Sequence, residues 1–98
     1  MYELKYLPFA KNDLKDIINY LTSFYPGTPN RFKESLRIRI TNLKEHPLMY
    51  PVYDALPIYR YIVVGDYNVY YTVNDITKTI EVHRIIRSIR DIRKILRD

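Results

Sequence analysis

Basic side chains crowd the end of this chain. Arg84, Arg87, Arg90, Arg93, Lys94 and Arg97 follow one another with a single acid, Asp91, among them. Guanidinium and ammonium groups bind phosphate and carboxylate, so this concentration fits contact with a polyanion or an acidic protein. A solvated helix face would carry the same pattern. His83 precedes Arg84, and its imidazole titrates near neutrality, which is what proton transfer at physiological pH requires. A lone mid-strand histidine serves equally as a packed or hydrogen-bonded structural residue. His46 is read as a helix-end residue whose ring satisfies the last carbonyls. Tyr59, Tyr61, Tyr67, Tyr70 and Tyr71 could stack on nucleobases, but strand alternation alone sends half of them into a core.

Three strand-like segments must position these groups. They are Tyr59–Val64, Tyr67–Val73 and Thr79–Arg87, each rich in β-branched and aromatic residues. Gly65-Asp66 joins the first two, and a short polar stretch from Asn74 to Lys78 joins the second to the third. Connections so short allow only antiparallel neighbours. Alternation along the second strand separates Tyr67, Val69, Tyr71 and Val73 from Asn68, Tyr70, Thr72 and Asn74. The first set should meet the helices, and the second should form an open polar and aromatic face for a ligand. By the same alternation His83 shares a face with Glu81, Ile85 and Arg87.

The first half reads as a strand and a helical hairpin. Tyr2, Leu4 and Tyr6 alternate with Glu3, Lys5 and Leu7 until Pro8. Ala10, Leu14, Ile17, Ile18, Leu21 and Phe24 recur at helical steps, and Pro26-Gly27 stops that helix. Thr28-Pro29 starts the next with a cap residue and a first-turn proline, and Phe32, Leu36, Ile40 and Leu43 form its stripe. Residues 47–58, with Pro47, Pro51 and Pro57, read as an extended connection. After the third strand, Ser88 and Asp91 resemble a capping box for a short helix. Its apolar stripe would be Ile89, Ile92, Ile95 and Leu96, with Arg90, Arg93, Lys94 and Arg97 opposite. The expected fold is α+β in the order β-α-α-β-β-β-α, with the helical hairpin on one face of a small antiparallel sheet.

Composition narrows the class. Ninety-eight residues make one domain, 1–98, with a core of its own. Sixteen basic residues against eleven acidic give +5, and residues 84–97 carry all of that excess. Cysteine is absent, which excludes disulfides and thiolate metal sites. Two histidines without carboxylates at matching spacing make no metal site, and no cofactor is expected. No apolar run reaches membrane-spanning length. The strand-like start leaves no room for a signal peptide, so a cytoplasmic location and no membrane partner are expected.

Taken in order, these elements resemble the RelE/ParE toxin superfamily of bacterial type II toxin–antitoxin systems. The resemblance rests on Tyr59-Arg60-Tyr61-Ile62-Val63-Val64-Gly65-Asp66-Tyr67-Asn68-Val69-Tyr70-Tyr71 and on the later run from Val82 to Asp91. His46-Pro47-Leu48-Met49-Tyr50-Pro51 adds the family's proline-bounded exit from the second helix. It implies a growth-inhibiting toxin, of the kind linked to plasmid stabilisation, neutralised by a cognate antitoxin.

Two targets divide such toxins. RelE-like members cut mRNA on the ribosome, whereas ParE-like members poison DNA gyrase without a nuclease centre. RNA cleavage without a metal needs a base, cations for the phosphorane and an acid for the leaving oxygen. Arg60, His83, Arg84 and Arg87 are the candidates for that chemistry here, with Arg90 as a further cation. Family nucleases commonly place arginine where this chain has Asn68, and many place histidine where it has Arg87. Arginine holds its proton to a pKa above ~12 and exchanges it poorly. The resemblance therefore implies a ParE-like mechanism ahead of the ribonuclease alternative. A basic binding domain with no toxicity is the third reading. Target or antitoxin contact is expected at Arg84, Arg87, Arg90, Arg93, Lys94 and Arg97.

Overall fold

Alternating apolar residues and a terminating proline make the first strand, β1, Glu3–Tyr6. The computed structural model describes residues 1–88. Pro8 then opens helix α1, Pro8–Phe24, where a missing N–H costs nothing. Ala10, Ile17 and Leu21 are buried, while Leu14 and Ile18 pack half-buried at the flank. Phe24, expected in the stripe, is 66% exposed, because it lies past the last turn that faces the sheet.

Helix α2, Thr28–Glu45, follows after the shortest of turns. Its cap is Gly27 at φ 91°, and Thr28 makes no capping side-chain bond. The left-handed backbone that reverses the chain there is one glycine adopts without strain. Phe32, Leu36 and Leu43 are buried on its inner stripe. Each fully buried Leu or Phe contributes roughly 1.5–3 kcal/mol of apolar transfer free energy.

Three strands complete the sheet: β2, Arg60–Val64; β3, Tyr67–Asn74; and β4, Thr79–Arg87. Val64 pairs with Tyr67, leaving Gly65 at φ 60° as the first residue of a two-residue loop. That is the glycine position of a type II′ hairpin. The β3–β4 turn is held by Asn74, whose Oδ1 accepts from the N–H groups of Ile76 and Thr77 at 3.0 and 3.1 Å. The spatial order is β1-β4-β3-β2. The expected antiparallel pairing holds across β2, β3 and β4, but β1 lies parallel to β4 and the sheet is mixed. Parallel neighbours need a long connection, and here nearly the whole described chain supplies it.

One core lies between the sheet and the helices. Its fully enclosed members include Leu43, Ile62, Val69, Tyr71, Ile80 and Val82. The opposite face is less open than alternation suggests. Residues after α2 run back along β2, with Tyr53 N–H donating to Tyr59 O at 2.8 Å and Tyr61 N–H to Pro51 O at 3.1 Å. Tyr53 and Leu56 thereby cover a second cluster of Tyr59, Tyr70 and Ile86. The expected C-terminal helix, with Arg90, Arg93, Lys94 and Arg97, lies outside the described residues.

Candidate functional site

Register decides where the candidate side chains go. Tyr70 pairs with Arg84 and Tyr71 with Val82, so His83 is an extra residue in β4, a β-bulge. The bulge shifts the alternation by one. Val82 and Ile85 both enter the core under the helices, while Ile86 joins the opposite cluster. His83 therefore does not share a face with Ile85, as unbroken alternation would require.

Arg84 is turned towards α1. Its Nε donates to Asp13 Oδ2 at 2.7 Å and its Nη2 to Asp13 Oδ1 at 2.9 Å. The same Oδ2 accepts the N–H of Ile85 at 3.0 Å. β1 pairs only with Thr79–Val82, so beyond that point β4 has an open edge, and the carboxylate of Asp13 satisfies a donor that no strand reaches. These side chains keep only 25% and 12% of their surface in solvent. The bond to Asp13 holds the Arg84 guanidinium above its ordinary pKa, and that guanidinium also lies 5.5 Å from the centre of the Phe9 ring.

Arg87 is exposed at the end of β4. It lines a groove of about 320 Å³ with Arg84, Asp13, Asp16, Tyr20 and Tyr67. Burial raises the pKa of the Tyr67 hydroxyl, and the nearby Arg87 charge opposes that rise. Among the described residues, no imidazole or amine lines this groove. It presents charge and hydrogen bonds to a bound surface.

The other two candidates lie elsewhere. Arg60 is half-buried, and its Nη1 donates to Tyr50 O at 2.7 Å and to Leu48 O at 3.4 Å. It ties the end of α2's exit to the sheet. His83 packs on the far face, its Nε2 3.0 Å from Thr72 Oγ1 and its ring edge-on to Tyr59 at 5.1 Å. Burial lowers its pKa, against a weaker upward pull from Glu81. Asn68 donates from Nδ2 to the Tyr70 hydroxyl at 3.1 Å. Tyr53, Tyr61 and Tyr70 form a mutual cluster with ring centres 5.5–6.3 Å apart, so these aromatics pack on one another.

Sequence reading thus finds Arg84 and Arg87, which the fold brings into one groove, and Arg60 and His83, which it keeps apart from them. It misses Asp13, Asp16 and Tyr20. Asp13 pairs with a residue 71 positions away, and nothing local marks it. The recurrence of Phe9, Asp13, Asp16 and Tyr20 at helical steps along one flank is the signal available. Among the described residues, no three His, Asp or Glu side chains converge as metal ligands would. No described helix is long and apolar enough to cross a membrane.

Residues 4–92 match the family model described as the ParE toxin of the type II toxin–antitoxin system parDE. No curated protein sequence matches the chain significantly. Among solved structures, the chromosomal ParDE system of P. aeruginosa superposes with a TM-score of 0.73 at 19% identity, over 89% of this chain and 96% of that one. The intact RelBE toxin–antitoxin complex of E. coli gives 0.67 at 17% identity, over 92% and 100%. The isolated RelE toxin of E. coli gives 0.68 at 16%, over 98% and 95%. At such identities the structures share a fold.

Proposed function

This chain belongs to the ParE toxin family of type II toxin–antitoxin systems, and from that premise we propose that it inhibits DNA gyrase and is neutralised by a cognate antitoxin. One observation carries the choice of target. The groups that RNA cleavage would need in one place are spread over three. Arg84 is committed to Asp13, Arg60 to backbone carbonyls, and His83 faces away from both under Tyr59. Transition-state stabilisation requires donors aimed at the reacting phosphate together with a proton-transfer group within hydrogen-bond reach. The α1–β4 groove offers two arginines, two carboxylates and two tyrosines, a set suited to gripping a protein surface.

An antitoxin partner is supported by the solved ParDE and RelBE systems that share the fold. The groove is where Arg87 would contribute to target contact. Expression in bacteria tests this reading. Growth should stop when the chain is induced alone and resume when the protein encoded beside it is supplied. Transcripts on translating ribosomes should stay full-length in the arrested cells. Cleavage at defined codons, lost on changing Arg84 or Arg87 to Ala, would instead establish the ribonuclease.

A further inference from the structure

The groove between α1 and β4 is lined by no net charge in a chain of +5. Its walls hold two carboxylates, Asp13 and Asp16 of α1, and two guanidinium groups, Arg84 and Arg87 of β4. The inner pair is closed, because Arg84 takes both oxygens of Asp13 at 2.7 and 2.9 Å. The outer pair is open. Asp16 and Arg87 are both exposed, and among the described residues neither forms an ion pair. Asp16 Oδ2 accepts only a long bond from Asn12 Nδ2, at 3.4 Å. The walls approach each other at Tyr67, whose hydroxyl feels both Tyr20 of α1 and Arg87 of β4.

Without Asp16 the same walls would suit a phosphate. One uncompensated guanidinium with tyrosine rings beside it is how many proteins hold single-stranded nucleic acid. With Asp16 in place, a phosphate on Arg87 meets a carboxylate on the opposite wall. Like charges between low-dielectric walls repel more strongly than in open water. A protein partner avoids that repulsion, since it can offer a carboxylate to Arg87 and a cation or amide to Asp16. A nucleic acid strand cannot, because every unit of its backbone carries the same charge. We propose that Asp16 is the specificity-determining residue of this groove: its carboxylate, on the wall opposite Arg87, bars phosphate-bearing chains and leaves a protein surface as the partner. This deepens the reading that the groove grips a protein target, and rests on it. Discrimination of this kind is built by repulsion as much as by attraction.

The test measures what the groove takes up once Asp16 loses its charge. A fluorescein-labelled oligouridine is titrated with the purified full chain and followed by anisotropy. The basic residues from Arg90 to Arg97 are common to all variants, so differences report the groove. Asp16→Asn should bind about two- to fivefold more tightly than the parent. Its log–log salt slope should steepen by about 0.7, as one more phosphate of a single strand is neutralised. Asp16→Gln should give the same gain should Asn unsettle α1, and Asp16→Glu, which keeps the charge, should bind as the parent does. Asp54→Asn removes an exposed acid from the 47–58 connection and changes net charge equally, so it should leave binding near the parent's. Adding Arg87→Ala to Asp16→Asn should abolish the gain. No gain from Asp16→Asn and Asp16→Gln, an equal gain from Asp54→Asn, or a gain that survives Arg87→Ala would overturn the proposal. Gyrase and ribosomal mRNA are assayed with the parent in parallel. If the parent cuts mRNA and spares gyrase while Asp16→Asn gains binding through Arg87, the protein-target reading falls and the exclusion by Asp16 stands.

Discussion

Asp13 organises more of the candidate site than any arginine in it. One carboxylate satisfies the Arg84 guanidinium and the edge N–H of Ile85, so Asp13→Ala leaves both without an acceptor in a largely desolvated corner. The expected cost is about 1–3 kcal/mol, read as a lower urea midpoint at unchanged slope. An unchanged midpoint would mean that water replaces the carboxylate without loss. His83 supplies a pH signature. Its pKa is lowered in the folded state by burial, so the unfolded chain binds the proton first. Stability contributed by the neutral ring is then full above the unfolded pKa, about 6.5, and is lost as pH falls below it. Urea midpoints between pH 7.5 and 5 should therefore drop more for the parent than for His83→Gln. Parallel profiles would remove His83 from the account. At this scale the arginines were legible because charge is a property of the residue. Their partners were not, because Asp13 and Arg84 meet only through the fold.

Elements were the most legible level, and the exceptions have specific physical origins. The helical stripes of α1 and α2 and the Gly65-Asp66 hairpin follow from apolar period and turn chemistry, and the structure has them, Phe24 apart. The bulge at His83 carries no compositional mark, so alternation places Ile85 and Arg87 on the wrong face relative to His83. The parallel pairing of β1 is equally silent in sequence, since four residues cannot advertise a partner that lies beyond both helices and two other strands. Residues 47–58 read as a plain connection but cover part of the outer face, because Tyr53 and Leu56 find apolar partners there. Packing at this level has a direct test. Leu36, 5% exposed between α2 and the sheet, should cost about 2–5 kcal/mol when cut to Ala. Thermal or urea unfolding that shows a loss under 1 kcal/mol would mean that α2 does not close the core as described.

Among the described residues, the cations divide between those held by internal partners and those left outward beside grooves. The net charge is +5, yet Arg60 and Arg84 are consumed by internal partners. Among the described residues, Arg87 stays outward in one groove, and Lys33, Arg37 and Lys44 of α2 line another. Under the function proposed above, such a toxin would act by occupying a protein. The most direct measurement is gyrase supercoiling of relaxed plasmid in the presence of purified toxin, with mRNA on translating ribosomes assayed in parallel. Supercoiling should stall or cleavage complexes accumulate, Arg87→Ala should weaken the effect, and the mRNA should stay intact. Codon-specific mRNA cleavage with gyrase unaffected would contradict it.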